Sequence, residues 1–378
     1  MRKVFRDVCN YAADLAGINS ALYELGGLLI MHDASGCNST YATHDEPRWT
    51  QMPSLIYISA LEEYDAILGN DDKLIENVVE AAKETQPNFI CLFGSPIALV
   101  MGTDFKGIAH VVEQETGIPT FGFKTSGMYS YIRGASQAYE MLAKHFVQPQ
   151  VRPKRSQIRI NLLGMTPLDL GYSGNKEAID SWAHDHNFSI VANWSMGTSL
   201  EQIQQSALAD VNVVVSSCGL DAANVLKERF GIPYVVGVPV GKCAQLLAEN
   251  IILSAHDQQD RELYKAGPNA SHIVLIGEPV MAQSMRLALN DEVQIICPTE
   301  IGWQLQPGDL HSQEEEEIRN KLNAADMVIA DPIYRRLMNK DIPFIDCPHW
   351  ACSGRLFKDQ MPVLIGDGFE TMIRPLSF

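Results

Sequence analysis

The chain has 378 residues, a net charge of −17 and an apolar fraction of 46%. This length allows two or three domains, each able to bury a core. The acidic excess argues against a nucleic-acid partner, because phosphate binding requires concentrated Lys and Arg. No apolar run approaches the roughly 20 residues of a membrane span, and the charged start of the chain lacks the apolar core of a signal peptide. We therefore expect a cytoplasmic protein that binds neither nucleic acid nor membranes.

Strands and helices alternate along the whole chain, which predicts an α/β protein with mostly parallel sheets. An Ile-Pro pair recurs at 118–119, 232–233 and 342–343, each time after a predicted amphipathic helix and before an apolar strand. Recurrence at about domain length indicates three similar Rossmann-like units rather than a solenoid of short repeats. The polar, proline-rich stretch 148–156 predicts a linker. We place an α/β domain for cluster binding at 1–150, a second α/β domain at 156–262 and a third at 270–378.

No intact nucleotide-binding signature is present. Residues 237–243, Gly-Val-Pro-Val-Gly-Lys-Cys, are one residue shorter than a phosphate loop and end in Cys rather than Ser or Thr. No G-x-G-x-x-G motif follows a strand. We therefore expect that this chain by itself neither binds a dinucleotide nor hydrolyses ATP.

Eight cysteines in a reducing compartment are core residues, metal ligands or reactive thiols rather than disulfides. Cys91 and Cys297 lie inside apolar strands, where a free thiol behaves as a small hydrophobic group. No C-x-x-C pair occurs, so neither a zinc ribbon nor a ferredoxin-like site is indicated. Four cysteines occupy turn contexts instead: Cys9, Cys37, Cys218 and Cys352.

The first two of these cysteines lie in a pattern that resembles the nitrogenase component 1 family. Cys9-Asn-Tyr-Ala, followed by His32-Asp-Ala-Ser-Gly-Cys37, resembles the start of those subunits, where cysteines in glycine-containing turns bind a metal cluster. The stretch 93–104 resembles a later Cys-Pro turn, with Ser95 in place of the cysteine. The segments 211–233 and 341–354 resemble parts of the second and third domains. The resemblance covers nearly the whole chain and implies a nitrogenase component 1-like fold.

The same resemblance implies that Cys9 and Cys37 are ligands of an iron–sulfur cluster. Two chains related by a twofold axis would supply four thiolates, the number that a 4Fe–4S cluster requires. The second chain is either a copy of this one or a similar subunit. An ATP-dependent iron–sulfur Fe protein is the implied electron donor.

The crevice between the units is the predicted substrate site, since α/β sheets bind ligands beyond the carboxyl ends of their strands. Ser217 and Cys218 end a strand of the second unit, and His349 and Trp350 follow a strand of the third. We predict that Ser217, Cys218 and Trp350 bind substrate and that His349 is catalytic as a proton donor. The alternatives are that His349 is a structural histidine and that Ser95 only caps a helix.

The function that follows is the catalytic component of a nitrogenase-like reductase, with a substrate such as a tetrapyrrole between the domains. In size and cysteine number the chain is similar to components that reductively cyclise a nickel tetrapyrrole. One alternative is a non-catalytic scaffold on which a metal cofactor is assembled. Another is a periplasmic-type binder of a metal or metallophore, against which the missing signal peptide counts.

Overall fold

The computed structural model describes residues 6–34, 46–153, 156–265, 272–289 and 292–374. The strands are β1 (Leu28–His32), β2 (Leu55–Ile58), β3 (Ile90–Gly94), β4 (Thr120–Gly122), β5 (Ile158–Leu163), β6 (Phe188–Asn193), β7 (Val211–Val214), β8 (Tyr234–Val236), β9 (Arg261–Glu262), β10 (Ile273–Ile276), β11 (Val293–Cys297), β12 (Leu310–His311), β13 (Met327–Ala330) and β14 (Phe344–Asp346).

The α-helices in these ranges are Asp14–Leu22, Glu63–Leu68, Asp71–Thr85, Pro96–Met101, Phe105–Thr116, Tyr131–His145, Pro167–Leu170, Asn175–Asp185, Leu200–Gln204, Leu220–Phe230, Cys243–Asp257, Pro279–Leu289, Glu315–Ala324, Trp350–Phe357 and Asp367–Ile373. Short 3-10 helices lie at Ser206–Leu208, Ser217–Gly219, Pro332–Leu337 and Lys358–Gln360. None of the helices described is both long and apolar enough to cross a membrane.

The strands form three sheets, and every strand pair within them is parallel. The orders are β2-β1-β3-β4, β6-β5-β7-β8-β9 and β12-β11-β10-β13-β14. The prediction of an α/β fold with mostly parallel sheets is therefore confirmed. Each sheet lies within one of the three predicted segments, and the boundaries between the domains stay a prediction.

The strand order fixes where each sheet can bind a ligand. In a parallel sheet, the crevice opens where neighbouring strands send their connections to opposite faces. Here those positions lie between β1 and β3, between β5 and β7, and between β10 and β13. The residues just after these six strands are therefore the first places to look for a functional site.

The internal repeat has a common structural basis in the first two units. Gly117 and Gly231 end their helices in the left-handed region, with φ of 70° and 66°, which favours glycine. The Ile-Pro pair then leads into β4 or β8. The third copy differs from the expectation, because the preceding element is the 3-10 helix Pro332–Leu337 rather than an amphipathic α-helix.

The stretch 148–156, which the sequence predicts to be a linker, forms hydrogen bonds to the second unit through its described residues. The backbone N–H of Gln148 donates to the carbonyl of Gln204 at 3.0 Å. The Arg152 guanidinium donates to the carbonyls of Ala207 and Phe230, each at 2.9 Å. These bonds fix the exit of the helix Tyr131–His145 relative to the second sheet.

The start of the chain contacts the third unit as well as the first. The N–H of Ala12 donates to the carbonyl of Ala351 at 2.6 Å. The Glu315 carboxylate accepts from the N–H groups of Asp7 and Val8, each at 3.0 Å. The segment that carries Cys9 is thus clamped to the third unit.

Two helices of the first unit cross with their backbones in contact. A Cβ added at Gly17 would lie 1.9 Å from the carbonyl oxygen of Tyr131, and one added at Gly134 would lie 1.8 Å from that of Asp14. The N–H of Tyr131 donates to the carbonyl of Ala12 at 2.7 Å. The crossing therefore sets the position of Tyr131 relative to the segment before residue 14.

Gly17→Ala should destabilise the protein, because the new methyl group overlaps backbone atoms that cannot rotate away. We expect the free energy of unfolding to fall by about 1–3 kcal/mol or more, as for an overpacked core. Urea unfolding followed by circular dichroism measures this change.

Gly107→Ala is the matched control, since Gly107 is exposed in the helix Phe105–Thr116 and its added Cβ meets only the Asp104 side chain. Helix propensity predicts a gain of up to about 1 kcal/mol there. Equal effects of the two substitutions would contradict the close crossing.

Candidate functional site

Cys9 lies beside a second cysteine from the opposite end of the chain. Its Sγ is 3.9 Å from Cys352 Sγ and 3.1 Å from the carbonyl oxygen of Cys352. Both thiols line an open cavity of about 410 Å³, together with Trp350, Arg355 and neighbouring residues. The sequence did not predict this pairing, because the two cysteines are 343 positions apart.

The two thiols differ in acidity. Their hydrogen bond lowers the pKa of Cys9 and raises that of Cys352 well above its ordinary value, and burial adds to the rise at Cys352. Cys9 is the exposed member of the pair. It is therefore the thiol that ionises first.

Cys37 lies outside the described residues. The end of β1, which precedes it in the sequence, and the end of the neighbouring strand β3 are described. β1 ends at His32, whose Nδ1 is 2.9 Å from Ser59 Oγ. Asp33 follows, and its Oδ1 accepts from Ser95 Oγ at 2.5 Å. Ser95 also accepts from the N–H of Ile97 at 3.2 Å, so it caps the helix that follows β3. The Ser95 hydroxyl oxygen thus already donates one hydrogen bond and accepts another.

Cys91 is fully buried in β3. Burial raises the pKa of its thiol well above the ordinary value. A thiol whose ionisation is disfavoured by burial is a poor metal ligand. Cys91 therefore behaves as the core residue that the sequence predicts.

A second group of side chains converges where the second and third sheets open, centred on Asp169. The Asp169 carboxylate accepts a hydrogen bond from the Tyr131 hydroxyl. Cys218 Sγ lies 3.9 Å from its Oδ2, and His349 Nε2 lies 3.6 Å from its Oδ1. The structure thus brings Cys218 and His349 to one carboxylate, from two different units.

A second buried carboxylate, Glu278, adjoins this group. It follows β10 and accepts hydrogen bonds from the N–H and hydroxyl of Ser217 and from the N–H of Met281. Glu278 is 2% exposed. Ser217 therefore joins the second unit to the third through this carboxylate.

The two carboxylates share a region that holds little positive charge. Among the described residues, neither is ion-paired with Lys or Arg, and His349 is the basic partner of Asp169. Burial and the nearby Asp169 charge raise the pKa of Glu278 to about 7. Burial, followed by the Asp169 charge, also raises the pKa of Cys218 and Tyr131 well above their ordinary values. The group therefore holds protons that a solvent-exposed site would lose.

A hydrogen bond from the backbone of His349 to Asp331 fixes the position of this residue. Its N–H donates to Asp331 Oδ2 at 2.8 Å, and Ser353 Oγ donates to the same oxygen at 2.5 Å. Its ring nitrogen Nδ1 is buried and has no hydrogen-bond partner among the described residues. A buried polar atom without a partner indicates a position where a ligand or water can bind.

Tyr11 lies between the two groups. Its ring centroid is 5.5 Å from that of His349 and 6.5 Å from that of Tyr131. Trp350, in contrast, lines the cavity that contains Cys9. The predicted substrate residues therefore divide between two neighbouring places, with Ser217, Cys218 and His349 at the carboxylates and Trp350 beside Cys9.

Three residues at strand ends were missed by sequence reasoning. Asp169 lies shortly after β5, Glu278 after β10 and Asp331 after β13. Acidic residues next to proline at strand ends, as in Glu278-Pro279 and Asp331-Pro332, were a usable signal. Tyr11 and Tyr131 gave no comparable signal.

The chain is similar to known proteins in both sequence and fold. The model of the family "Nitrogenase component 1 type Oxidoreductase" matches residues 25–245. The chain is 25% identical to the nitrogenase iron-molybdenum cofactor biosynthesis protein NifE of Clostridium pasteurianum, over 46% of this chain and 38% of that protein. It is 23% identical to the nitrogenase molybdenum-iron protein alpha chain of Methanothermobacter thermautotrophicus, over 60% of this chain and 51% of that protein.

One component of the light-independent protochlorophyllide reductase of Nostoc punctiforme is 21% identical over 46% of this chain and 36% of that protein. The matched segments thus span about half, or less, of these curated relatives. The solved structure "Nitrogenase Cp1 at pH 5" superimposes on 99% of this chain and 90% of its own, with a TM-score of 0.67 and 16% identity. The family match covers more than half of the chain, and the fold agrees with it. The chain belongs to the nitrogenase component 1 type oxidoreductase family.

Proposed function

We propose that this chain is the catalytic component of a nitrogenase-like reductase, which receives electrons from an ATP-dependent iron–sulfur Fe protein. The observation that carries the proposal is the pair of adjacent sites, one built on the Cys9 thiol and one on buried proton-holding groups. Reduction requires both electrons and protons, and these two sites suit the two tasks.

Cys9 and Cys37 would hold an iron–sulfur cluster, which we propose to be 4Fe–4S and shared between two chains. Such a cluster supplies single electrons when bound. Thiolate sulfur is the donor that iron–sulfur clusters prefer, and Cys9 is an exposed thiol of lowered pKa beside an open cavity. Of the two proposed ligands, Cys9 lies in the described residues, and its thiol suits an iron–sulfur cluster.

An apolar surface supports a dimer of this chain, or of this chain with a similar subunit. The helix Glu63–Leu68 buries none of its residues, and its Leu68 is 79% exposed. Val100, in the neighbouring helix that Ser95 caps, is 88% exposed. Contiguous exposed apolar side chains mark interaction surfaces. This surface adjoins the end of β3.

His349 would donate a proton to the substrate. Its Nε2 lies 3.6 Å from Asp169 Oδ1, and its buried Nδ1 has no hydrogen-bond partner among the described residues, so a substrate can bind there. Asp169 in turn holds the Tyr131 hydroxyl, and Glu278 supplies a second protonatable group. These residues can replace a proton that His349 has given up.

Ser217, Cys218 and Trp350 would bind the substrate. Ser217 and Cys218 are buried, so substrate binding there would require the contact between Ser217 and Glu278 to open. Trp350 already borders an open cavity, and its flat ring suits a planar ligand. A tetrapyrrole is the substrate class that we propose, supported by the similarity to a component of a protochlorophyllide reductase.

A second candidate function is a non-catalytic scaffold for assembly of a metal cofactor. It is favoured by the similarity to NifE, whose name is that of a cofactor biosynthesis protein. A scaffold would release a metal cofactor to another protein and accumulate no reduced product. A reductase would consume reductant in proportion to product.

Protein purified without oxygen should contain about four irons per dimer, the content of one cubane cluster. Cys9→Ala or Cys37→Ala should remove the iron and the brown colour, whereas Cys91→Ala should keep both, since Cys91 is buried in β3. Iron and sulfide analysis with native mass spectrometry measures this. Full iron content in Cys37→Ala protein would exclude the cluster assignment.

His349→Ala should retain iron and dimer and lower the rate of substrate reduction about a hundredfold or more, since a general acid contributes at least roughly that factor. The assay supplies an Fe protein, ATP, dithionite and a tetrapyrrole. His256→Ala, an exposed change in the last turn of the helix Cys243–Asp257, should leave the rate unchanged. No product from wild-type protein, together with transfer of a metal cofactor to an apo-enzyme, would support the scaffold instead.

Glu278→Gln should change how stability depends on pH. The pKa of Glu278 rises from 4.5 to about 7 on folding, so the folded protein binds this proton more tightly. The contribution of this proton to the free energy of unfolding is therefore lost as the pH rises from 4.5 to 7. The variant has no such proton, so its free energy of unfolding does not show this loss. Between pH 5 and pH 8, the free energy of unfolding of the variant should therefore rise by about 2 kcal/mol relative to that of the wild type.

Urea unfolding of the metal-free proteins at the two pH values measures this difference. The exposed change Glu228→Gln should show none. If the free energies of unfolding of Glu278→Gln and wild type changed equally between the two pH values, the buried carboxyl would be ionised throughout this range.

A further inference from the structure

We propose that the outer edge of β4 binds an extended, acidic segment of another polypeptide as a fifth strand of the first sheet. β4 lies at the edge of its sheet and pairs with β3 alone. An unpaired edge presents backbone N–H and C=O groups, to which an added strand can form hydrogen bonds. This edge shares no residue with either candidate site, so the inference does not depend on the proposed function.

The second unit shows what the corresponding position accepts. β8 follows an Ile-Pro pair, as β4 does in the first unit, and its outer side is paired with β9. The N–H of Leu263, just after β9, donates to the carbonyl of Val236 at 3.0 Å. The Asp260 carboxylate, just before β9, accepts from the N–H of Tyr234 at 3.2 Å. A short parallel strand preceded by a carboxylate therefore completes the second sheet.

The corresponding backbone groups of β4 belong to Thr120 and Gly122. The N–H of Phe123 donates to the carbonyl of Leu92 at 2.8 Å, so this residue faces β3. Because successive residues of a strand turn their backbone groups to opposite sides, Thr120 and Gly122 face away from β3. Among the described residues, neither another strand nor a side chain bonds these outward groups.

The third unit protects the same position with a side chain. β14 is also an edge strand. The Arg335 guanidinium donates to the carbonyl of Phe344 at 3.4 Å and to the carboxylate of Asp346 at 3.0 Å. The outer edge is therefore covered in the second and third units, and β4 differs from both.

The segment of this chain that corresponds to β9 binds elsewhere. In the second unit, β9 follows the helix Cys243–Asp257. In the first unit, the helix Tyr131–His145 holds the same place in the repeat, but the residues after it bind the second unit through Gln148 and Arg152. We therefore assign the fifth strand of the first sheet to another polypeptide.

The groove beside β4 has room for such a strand. Its floor is formed by residues 120–124, and its walls are the helices Phe105–Thr116 and Tyr131–His145. These elements border an open cavity of about 410 Å³. Neighbouring strands lie about 4.8 Å apart, so a strand added to β4 would occupy this cavity.

The charge of the groove favours an acidic segment. Its lysines are Lys106, Lys124 and Lys144, and its acids are Glu113 and Glu140. Glu140 is paired with Lys144 at 2.6 Å, whereas Lys106 and Lys124 form no ion pair among the described residues. In a chain of net charge −17, this local excess of lysine is complementary to carboxylates on a partner.

The test uses a fluorescein-labelled peptide with the sequence of residues 257–264, Asp-Gln-Gln-Asp-Arg-Glu-Leu-Tyr, which contains β9. The full chain is purified without oxygen and titrated with this peptide, and fluorescence anisotropy measures binding. Hydrogen exchange followed by mass spectrometry locates it. We expect saturable binding and slower amide exchange in the fragment that contains β4.

Two pairs of matched changes test the contacts. Lys106→Glu combined with Lys124→Glu should weaken binding about tenfold or more, because the acidic peptide loses its complementary charges. Lys83→Glu, an exposed change outside the groove, should leave binding unchanged. N-methylation of the peptide's Leu amide, which corresponds to the Leu263 donor, should weaken binding about tenfold. N-methylation of its Glu amide, which faces outward, should not.

Four results would overturn the inference, and each would leave the proposed function standing. One is the lack of saturable binding up to about 1 mM peptide. Another is slower exchange at β8 instead of β4, which would mean that the peptide displaces β9. A third is strong protection of the outward β4 amides without peptide, which would mean that this chain already covers the edge. The last is equal binding of the two N-methylated peptides, which would exclude pairing through the backbone.

Discussion

The close crossing of the helices Asp14–Leu22 and Tyr131–His145 is the contact on which the rest of the arrangement depends. Glycine at 17 and 134 lets the two backbones touch, and no other residue fits there without overlap. The buried Asp14 carboxylate closes the same junction by accepting from the N–H groups of Ser126 and Gly127 at 2.9 and 2.8 Å.

This junction sets Cys9 and Tyr11 on one side and Tyr131 on the other. Tyr131 begins the second of the crossing helices and donates to Asp169 in the next unit. The segment before the first helix contacts the third unit through Ala351. One crossing in the first unit therefore positions residues that belong to all three, and a shift there would disturb both candidate sites together.

Burial of acid without matching Lys or Arg is the main electrostatic feature of the central site. Asp169 and Glu278 are within reach of each other's charge, and the group contains His349 as its basic residue. Ionisation of both carboxyls would leave uncompensated charge in a dry environment, which is costly. Burial and the Asp169 charge therefore favour the protonated form of Glu278, which suits the proton transfer in the reduction that we propose.

Much of the fold followed from the sequence, because helix ends and apolar strands are local features. The Gly-Ile-Pro motifs at 117 and 231 end helices through a conformation that glycine favours. The third copy was placed correctly as the start of a strand, but the element before it is a 3-10 helix. Local patterns do not report hydrogen bonds across the chain, so the docking of the 148–153 stretch was missed.

The sites were partly predictable for the same reason. Cys218 and His349 stood out as residues after strands, and parallel sheets bring strand ends to common edges. Their meeting at Asp169 required the strand orders of two sheets, which no local pattern contains. The adjacency of Cys9 and Cys352 depends on the packing of the first segment against the third unit. Sequence reasoning had no access to that contact.

The most direct test of the account is X-ray diffraction from crystals grown without oxygen, with anomalous maps measured on both sides of the iron absorption edge. The account predicts an iron peak within bonding distance of Cys9 Sγ, about 2.3 Å, and none beside Asp169. Iron at Asp169 and Cys218, or its absence at Cys9, would contradict the division into an electron site and a proton site.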